Sequence, residues 1–155
     1  MTGGEKMLGG KKVAEVVAFL KKKRLPLIDQ KANIEEIVAA MIHFEHSRFL
    51  YVVDHNDKLV GTISWRLLAR HVFSSSHDPQ IHPRFIMSMI TAETAKDIMQ
   101  KNPLFTTENE LLETLLTKII QRRVQEIPVI DREKRVIANL TIVDLLRFLI
   151  KSSKH

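Results

Sequence analysis

Thr141 and Asp144, three residues apart in the stretch IANLTIVDLLR (residues 137–147), are the side chains of this chain best placed to do chemistry. A short apolar strand runs there straight into an amphipathic helix, with Thr141 at the junction. A threonine at a helix start lays its hydroxyl beside the unpaired backbone N–H groups of the first turn, and such a start attracts an anion such as phosphate. Asp144 rises from the same face of that turn. A carboxylate in this position can accept hydrogen bonds from two neighbouring hydroxyls, which is the pattern a ribose offers. The same two residues equally suit a plain capped helix whose early aspartate complements the dipole, and the stretch alone leaves both readings open.

Other charged residues divide in the same way. Arg66, Arg70 and Arg147 lie on predicted helices from which they can reach a phosphate or face solvent. The run Lys21, Lys22, Lys23, Arg24 follows a predicted helix, where cations complement the C-terminal dipole or meet a phosphate or nucleic acid. With no cysteine, disulfides, thiol catalysis and cysteine-ligated metal centres are excluded. Of the seven histidines, His43 and His46 sit one helical turn apart, and His77 and His82 flank the loop DPQI. A metal needs three or four converging ligands, which this spacing does not supply, so no metal site is expected. No nucleophile–base pair, Gly-rich phosphate loop or catalytic carboxylate pair stands out, so neither an enzyme nor a catalytic cofactor is expected.

A chain of 155 residues with 45 % hydrophobic content can bury a core as one domain or as two small ones sharing an interior. Its net charge of +6 suits an anionic ligand, a nucleic acid or an acidic partner. No apolar run approaches a membrane span and the start MTGGEKMLGGKK has no signal-peptide core, which predicts a cytoplasmic protein with no membrane partner.

Residues 1–12 read as a flexible Gly-containing tail. Val13, Val16, Val17 and Leu20 then recur at helical spacing. A short strand at Leu27 and Ile28 follows, then a helix from about Asn33 to Arg48 with Ile34, Ile37, Val38, Met41 and Ile42 on its inner face. The strand FLYVVD, the turn HNDK and the strand LVGTIS make a hairpin, closed by the helix WRLLARHVF. This order repeats at an offset of 77 positions, seen at Pro26 and Pro103, Asp54 and Asp131, and Leu68 and Leu145. The halves are expected to overlay without a gap, with the helix from Glu110 to Arg123 on that from Asn33 to His46, and with a capping box of Thr107 and Glu110 in the second copy only. The expected organisation is a tail (1–12), a first repeat (13–73), a linker loop and helix (74–93) and a second repeat (94–151). The fold class is α/β (α+β): two β-α-β-β-α repeats packed as one pseudo-twofold module, with an N-terminal helix. A ligand cleft where the copies meet is the natural consequence.

The duplicated order, PVID followed by a strand and a T-x-x-D helix start, and DIM at Asp97–Met99 before NPLF resemble a tandem pair of cystathionine-β-synthase-like (CBS) domains, a Bateman module. The resemblance covers roughly residues 13–151. It implies a non-catalytic regulatory module that binds an adenosine nucleotide of the AMP, ADP or ATP class between the repeats and signals to an unidentified partner protein. It puts Thr141 and Asp144 at the phosphate and ribose, and the adenine against Leu104, Phe105 and Thr106 and against Val124, Gln125, Glu126, Ile127 and Pro128; Arg147, on the closing helix, is expected to join the nucleotide-binding residues. In the first copy Ser64 holds the hydroxyl position but Leu67 replaces the aspartate, so only a weak first site, at Ser64 and Arg66, is expected. Ala138 stands where the first copy has Gly61, and its methyl is expected to narrow the approach to a ligand. The resemblance also implies a homodimer, with Val143, Leu146 and Ile150 of the closing helix meeting a second chain. Two alternatives remain: a nucleic-acid-binding protein using its basic surface, for which one Trp and one Tyr give few stacking platforms, and a structural adaptor with an empty cleft.

Overall fold

The computed structural model describes residues 8–73 and 93–153. The expected loop at 74–81 with His77, and the expected linker helix with His82, Phe85, Ile86, Met89 and Ile90, lie outside the described residues. The chain divides into two units: Pro26–Pro103 form one, and the chain from Leu104 onward forms the other together with the N-terminal part through Leu25. Each is mixed α/β and is built on the expected β-α-β-β-α order.

In the Pro26–Pro103 unit, β1 (Leu27–Asp29) lies parallel to β2 (Phe49–Val53), β2 pairs antiparallel with β3 (Leu59–Ser64), and β3 pairs with the two-residue β4 (Gln100–Lys101). Helix α2 (Ile34–His43) buries Ile34 and Ile37 against Leu50, Val52 and Ile63 of the hairpin, joined by Leu68 of α3 (Trp65–Phe73) and Ala95 of α4 (Ala95–Ile98). The other unit contains α1 (Val13–Phe19), β5 (Thr106–Thr107), α5 (Leu112–Arg122), β6 (Glu126–Ile130), β7 (Val136–Thr141) and α6 (Ile142–Ser153). Its sheet runs in the order β5-β6-β7, and its core gathers Val13, Leu112, Leu115, Ile127, Leu140 and Leu145.

The hairpins agree residue for residue at the offset of 77. Asp54 and Asp131 each turn Oδ1 onto two backbone N–H groups of the following turn, from Asn56 and Lys58 and from Glu133 and Arg135. Those bonds, that from Lys58 first, hold the Asp54 carboxyl below the usual carboxylate range. Each turn closes on a residue in the left-handed region, Asp57 or Lys134, and each hairpin is bulged one residue before the turn, after Val52 and after Val129.

The gapless overlay does not hold outside the hairpins. Asp29 pairs with Val53, yet Thr106 pairs with Val129, one residue out of step, and α5 begins 78 positions after α2. The first copy therefore carries one residue more between its first helix and its hairpin. The expected capping box at Thr107 and Glu110 is also absent. The residues before α5 form a backbone turn, Glu110 N–H to Thr107 C=O, and the Glu110 carboxylate pairs instead with Lys118. The box occurs in the first copy, where Asn33 and Glu36 bond each other's backbone N–H. Helix α2 stops at His43 rather than Arg48, and Ile42, within it, is exposed and not on the inner face. The cations 21–24 follow the C-cap Leu20 of α1, outside the helix itself, in chain without regular structure that leads toward Pro26.

Helices α1 and α4 enter their units by the same device. Val13 N–H bonds Glu110 C=O and Lys12 bridges Leu111; Ala95 N–H bonds Ala32 C=O and Thr94 bridges Asn33. The helix that precedes each repeat in sequence thus packs in the unit of the other. Seven residues are too few for a helix to stand alone, so α1 depends on burying Val13 and Val16, at about 1.5–3 kcal/mol each.

Gly61 is required by β4. A Cβ there would sit 2.8 Å from the Gln100 carbonyl oxygen and against the Met99 side chain. Ala138 stands on β7, at the edge of a three-stranded sheet, and its methyl is buried in the core cluster. The difference between the copies thus includes packing: Gly61 lies under β4, and the Ala138 methyl belongs to the core cluster. Gly61→Ala is expected to destabilise the protein by about 1–3 kcal/mol as β4 is forced to move, read as a lower denaturation midpoint. An unchanged midpoint would show that β4 yields at no cost.

Candidate functional site

Thr141 ends β7 opposite Glu126, and Ile142 opens α6 by donating its N–H to Gln125 C=O at 3.0 Å, so the sheet register fixes where the helix begins. At that start the two marked residues close a reciprocal cap. Thr141 Oγ1 accepts the Asp144 N–H at 3.1 Å, and Asp144 Oδ2 accepts the Thr141 N–H at 3.1 Å. The plain capped helix is therefore realised, and it leaves the other carboxylate oxygen in a distinct setting. Asp144 is only 3 % exposed, yet its Oδ1 lies 3.6 Å from Lys23 Nζ and 4.0 Å from Arg147 Nη1, both on side chains about two-thirds exposed. One oxygen is committed to the backbone. The other is an oriented acceptor in a cationic setting, the combination a ribose beside a phosphate calls for.

Of the remaining residues, Glu126, Pro128, Asn139 and Thr141 share one face of the β6–β7 hairpin, while Ile127, Val129, Ala138 and Leu140 carry the core on the other. Ile127 and the fully buried Thr106 can thus offer a ligand only backbone atoms. Glu126 is buried, and its Oε2 accepts from Asn139 Nδ2 at 2.8 Å, a pairing that the alternation of the strands alone would have revealed. Leu104 and Val124 are half-buried against the core, Phe105 is exposed with its carbonyl bonded by Lys118 Nζ, and Gln125 is exposed with its carbonyl taken by Ile142.

Lys23 was not foreseen as part of this group. The run KKKR marked four cations, but which of them reaches Asp144 depends on the path of the segment after α1.

The first copy retains half of the cap. Ser64 Oγ accepts the Leu67 N–H at 2.9 Å, and Trp65 N–H bonds Arg48 C=O as Ile142 bonds Gln125. Leu67 has no carboxylate to return, and the Arg66 guanidinium lies 5.8 Å from the centre of the exposed Trp65 ring. Among the described residues no three His, Asp or Glu side chains come together as a metal would need, and no helix is long and apolar enough to cross a membrane.

Comparison with known proteins decides the family. The model of the CBS domain matches twice, over residues 13–74 and 95–151. The chain belongs to the CBS-domain family. A curated relative, Protein SDS23 of Scheffersomyces stipitis, is 31 % identical over 101 residues, a stretch that is 63 % of this chain and 18 % of that protein. Among solved structures, CBSX2 in complex with AMP aligns with a TM-score of 0.72 over 93 % of this chain and 99 % of that one, at 19 % identity. The CBS domain pair of protein MJ0100, in complex with 5′-methylthioadenosine and S-adenosyl-L-methionine, aligns with a TM-score of 0.64 over 88 % and 98 %, at 22 % identity. The CBS pair thus shares the two-sheet α/β fold of these proteins, and its T-x-x-D start is complete in the second copy only.

Because Asp144 is buried and accepts a backbone N–H, Asp144→Ala is expected to cost about 1–3 kcal/mol of stability, while Asp144→Asn, whose amide oxygen can keep that bond, costs clearly less. Urea unfolding of the two variants measures the gap. Equal losses would mean that the charge facing Lys23 and Arg147, and not the cap, carries the stability.

Proposed function

We propose that this CBS pair is a non-catalytic, cytoplasmic regulatory module that binds an adenosine nucleotide of the AMP, ADP or ATP class at its second copy and passes occupancy to a partner protein. The observation that carries the reading is the capped Asp144 carboxylate, oriented through Oδ2 and presenting Oδ1 between Lys23 and Arg147. In this reading Asp144 takes the ribose hydroxyls, and Thr141 with Arg147 lies toward the phosphate. The adenine rests on the backbone around Leu104–Thr106 and Val124–Pro128. AMP bound to CBSX2, and 5′-methylthioadenosine and S-adenosyl-L-methionine bound to the MJ0100 pair, support an adenosine-bearing ligand. Regulation then follows from differential binding, since a ligand shifts only an equilibrium between states it binds unequally. A weaker first site is assigned to Ser64 and Arg66, where the carboxylate is missing.

The reading includes a homodimer. Val143, Leu146 and Ile150 recur at helical spacing on α6, each more than half exposed, and form an apolar stripe for which a second copy is the proposed cover. Sizing of the purified protein, with and without nucleotide, is expected to give twice the chain mass, and a monomer at micromolar concentration under both conditions removes the dimer.

Calorimetry with AMP, ADP and ATP tests the site. The parent is expected to bind at least one of them, and Asp144→Asn to bind it roughly tenfold more weakly with its fold intact, as for loss of a hydrogen bond to a charged group. A parent that binds none of the three rejects the nucleotide reading.

A further inference from the structure

Lys23 belongs to no part of the T-x-x-D motif, yet its ammonium lies 3.6 Å from Asp144 Oδ1, the oxygen that the preceding reading assigns to a ribose. The two cations on this oxygen are not equivalent. Arg147 rises from α6 one turn after Asp144, so the helix fixes its point of attachment relative to the carboxylate. Lys23 comes from the chain without regular structure between α1 and β1, with most of its side chain in water. An exposed ammonium of this kind gains little from its pair and is released easily. It is also a compact charge on a flexible stem, able to swing to a new anion.

Resting on the nucleotide reading, we propose that Lys23 is an exchangeable cation: it pairs with Asp144 when the site is empty and transfers to the 5′-phosphate when a nucleotide arrives. The ribose diol displaces the ammonium from Oδ1. The phosphate of the same nucleotide supplies the anion that the ammonium then needs, while Arg147, anchored on the same helix as Asp144, stays within reach of both the carboxylate and the phosphate. A ligand with the same adenosine but no phosphate displaces Lys23 without giving it a partner. The site therefore selects phosphate-bearing adenosine ligands over 5′-thioethers, and the segment after α1 changes its contacts with occupancy.

Calorimetric titration of the parent, Lys23→Ala and Lys22→Ala with AMP and with 5′-methylthioadenosine tests this. The parent is expected to bind AMP about tenfold or more tighter, with a preference that shrinks as salt rises. Lys23→Ala should weaken AMP about tenfold while 5′-methylthioadenosine holds or tightens, because Asp144 is no longer covered. Lys22→Ala, one residue away with the same charge lost, should bind both like the parent. The proposal is overturned if Lys23→Ala shifts both ligands alike or neither, if Lys22→Ala acts as Lys23→Ala does, or if the parent does not discriminate. A parent that binds neither ligand overturns the nucleotide reading itself, and this inference with it.

Discussion

The reciprocal bond between Thr141 and Asp144 is the constraint on which the site depends. Ion pairs from exposed side chains such as Lys23 and Arg147 contribute about 0–1 kcal/mol each and leave the carboxylate free to turn. A carboxylate accepting a backbone N–H in a buried setting is held more firmly, and the penalty for breaking that bond is larger than the gain from making it. The cap therefore orients Asp144, and the cations only colour the field around it. In the first copy the serine repeats its half of the bond and the leucine cannot, so the same strand-to-helix turn exists there with no acceptor aimed outward.

The junction is set in turn by the hairpin. Asp54 and Asp131 tie their turns with matched bonds, and the bulges fall at matched places, so each hairpin delivers its closing helix at the same residue. The first strand and first helix are set by something else, the docking of α1 or α4. The copies stay in step through the hairpin and fall out of step before it by the one residue that the first copy carries in excess there.

Much of this was legible in the residues. The apolar periods of the helices, the turn residues of the hairpins and the duplication itself gave the element order, because hydrophobic spacing is what the core selects. The Thr141–Asp144 pair was legible for the same local reason, as a cap needs only residues three apart. What escaped was non-local. The run KKKR reads as a helix end until the chain is seen to leave the helix before it, and Lys23 meets Asp144 across 121 positions of sequence. Thr107 and Glu110 have capping-box spacing, but Glu110 is drawn to Lys118 and the backbone there receives α1. The need for glycine at position 61 is equally hidden until β4 is found lying against it.

The exchange of preceding helices has a consequence for how the chain is made. Helix α1 is synthesised before its docking site at Glu108–Leu112 and α5, which follows the whole of the Pro26–Pro103 unit in sequence. The Pro26–Pro103 unit, by contrast, has all its partners close in sequence and can close while the remainder is still on the ribosome. The two copies of the repeat are thus expected to differ in contact order and in folding rate. Until β6 and β7 arrive, Val13 and Val16 have no interior to enter, so α1 is the helix most open to misassembly during synthesis.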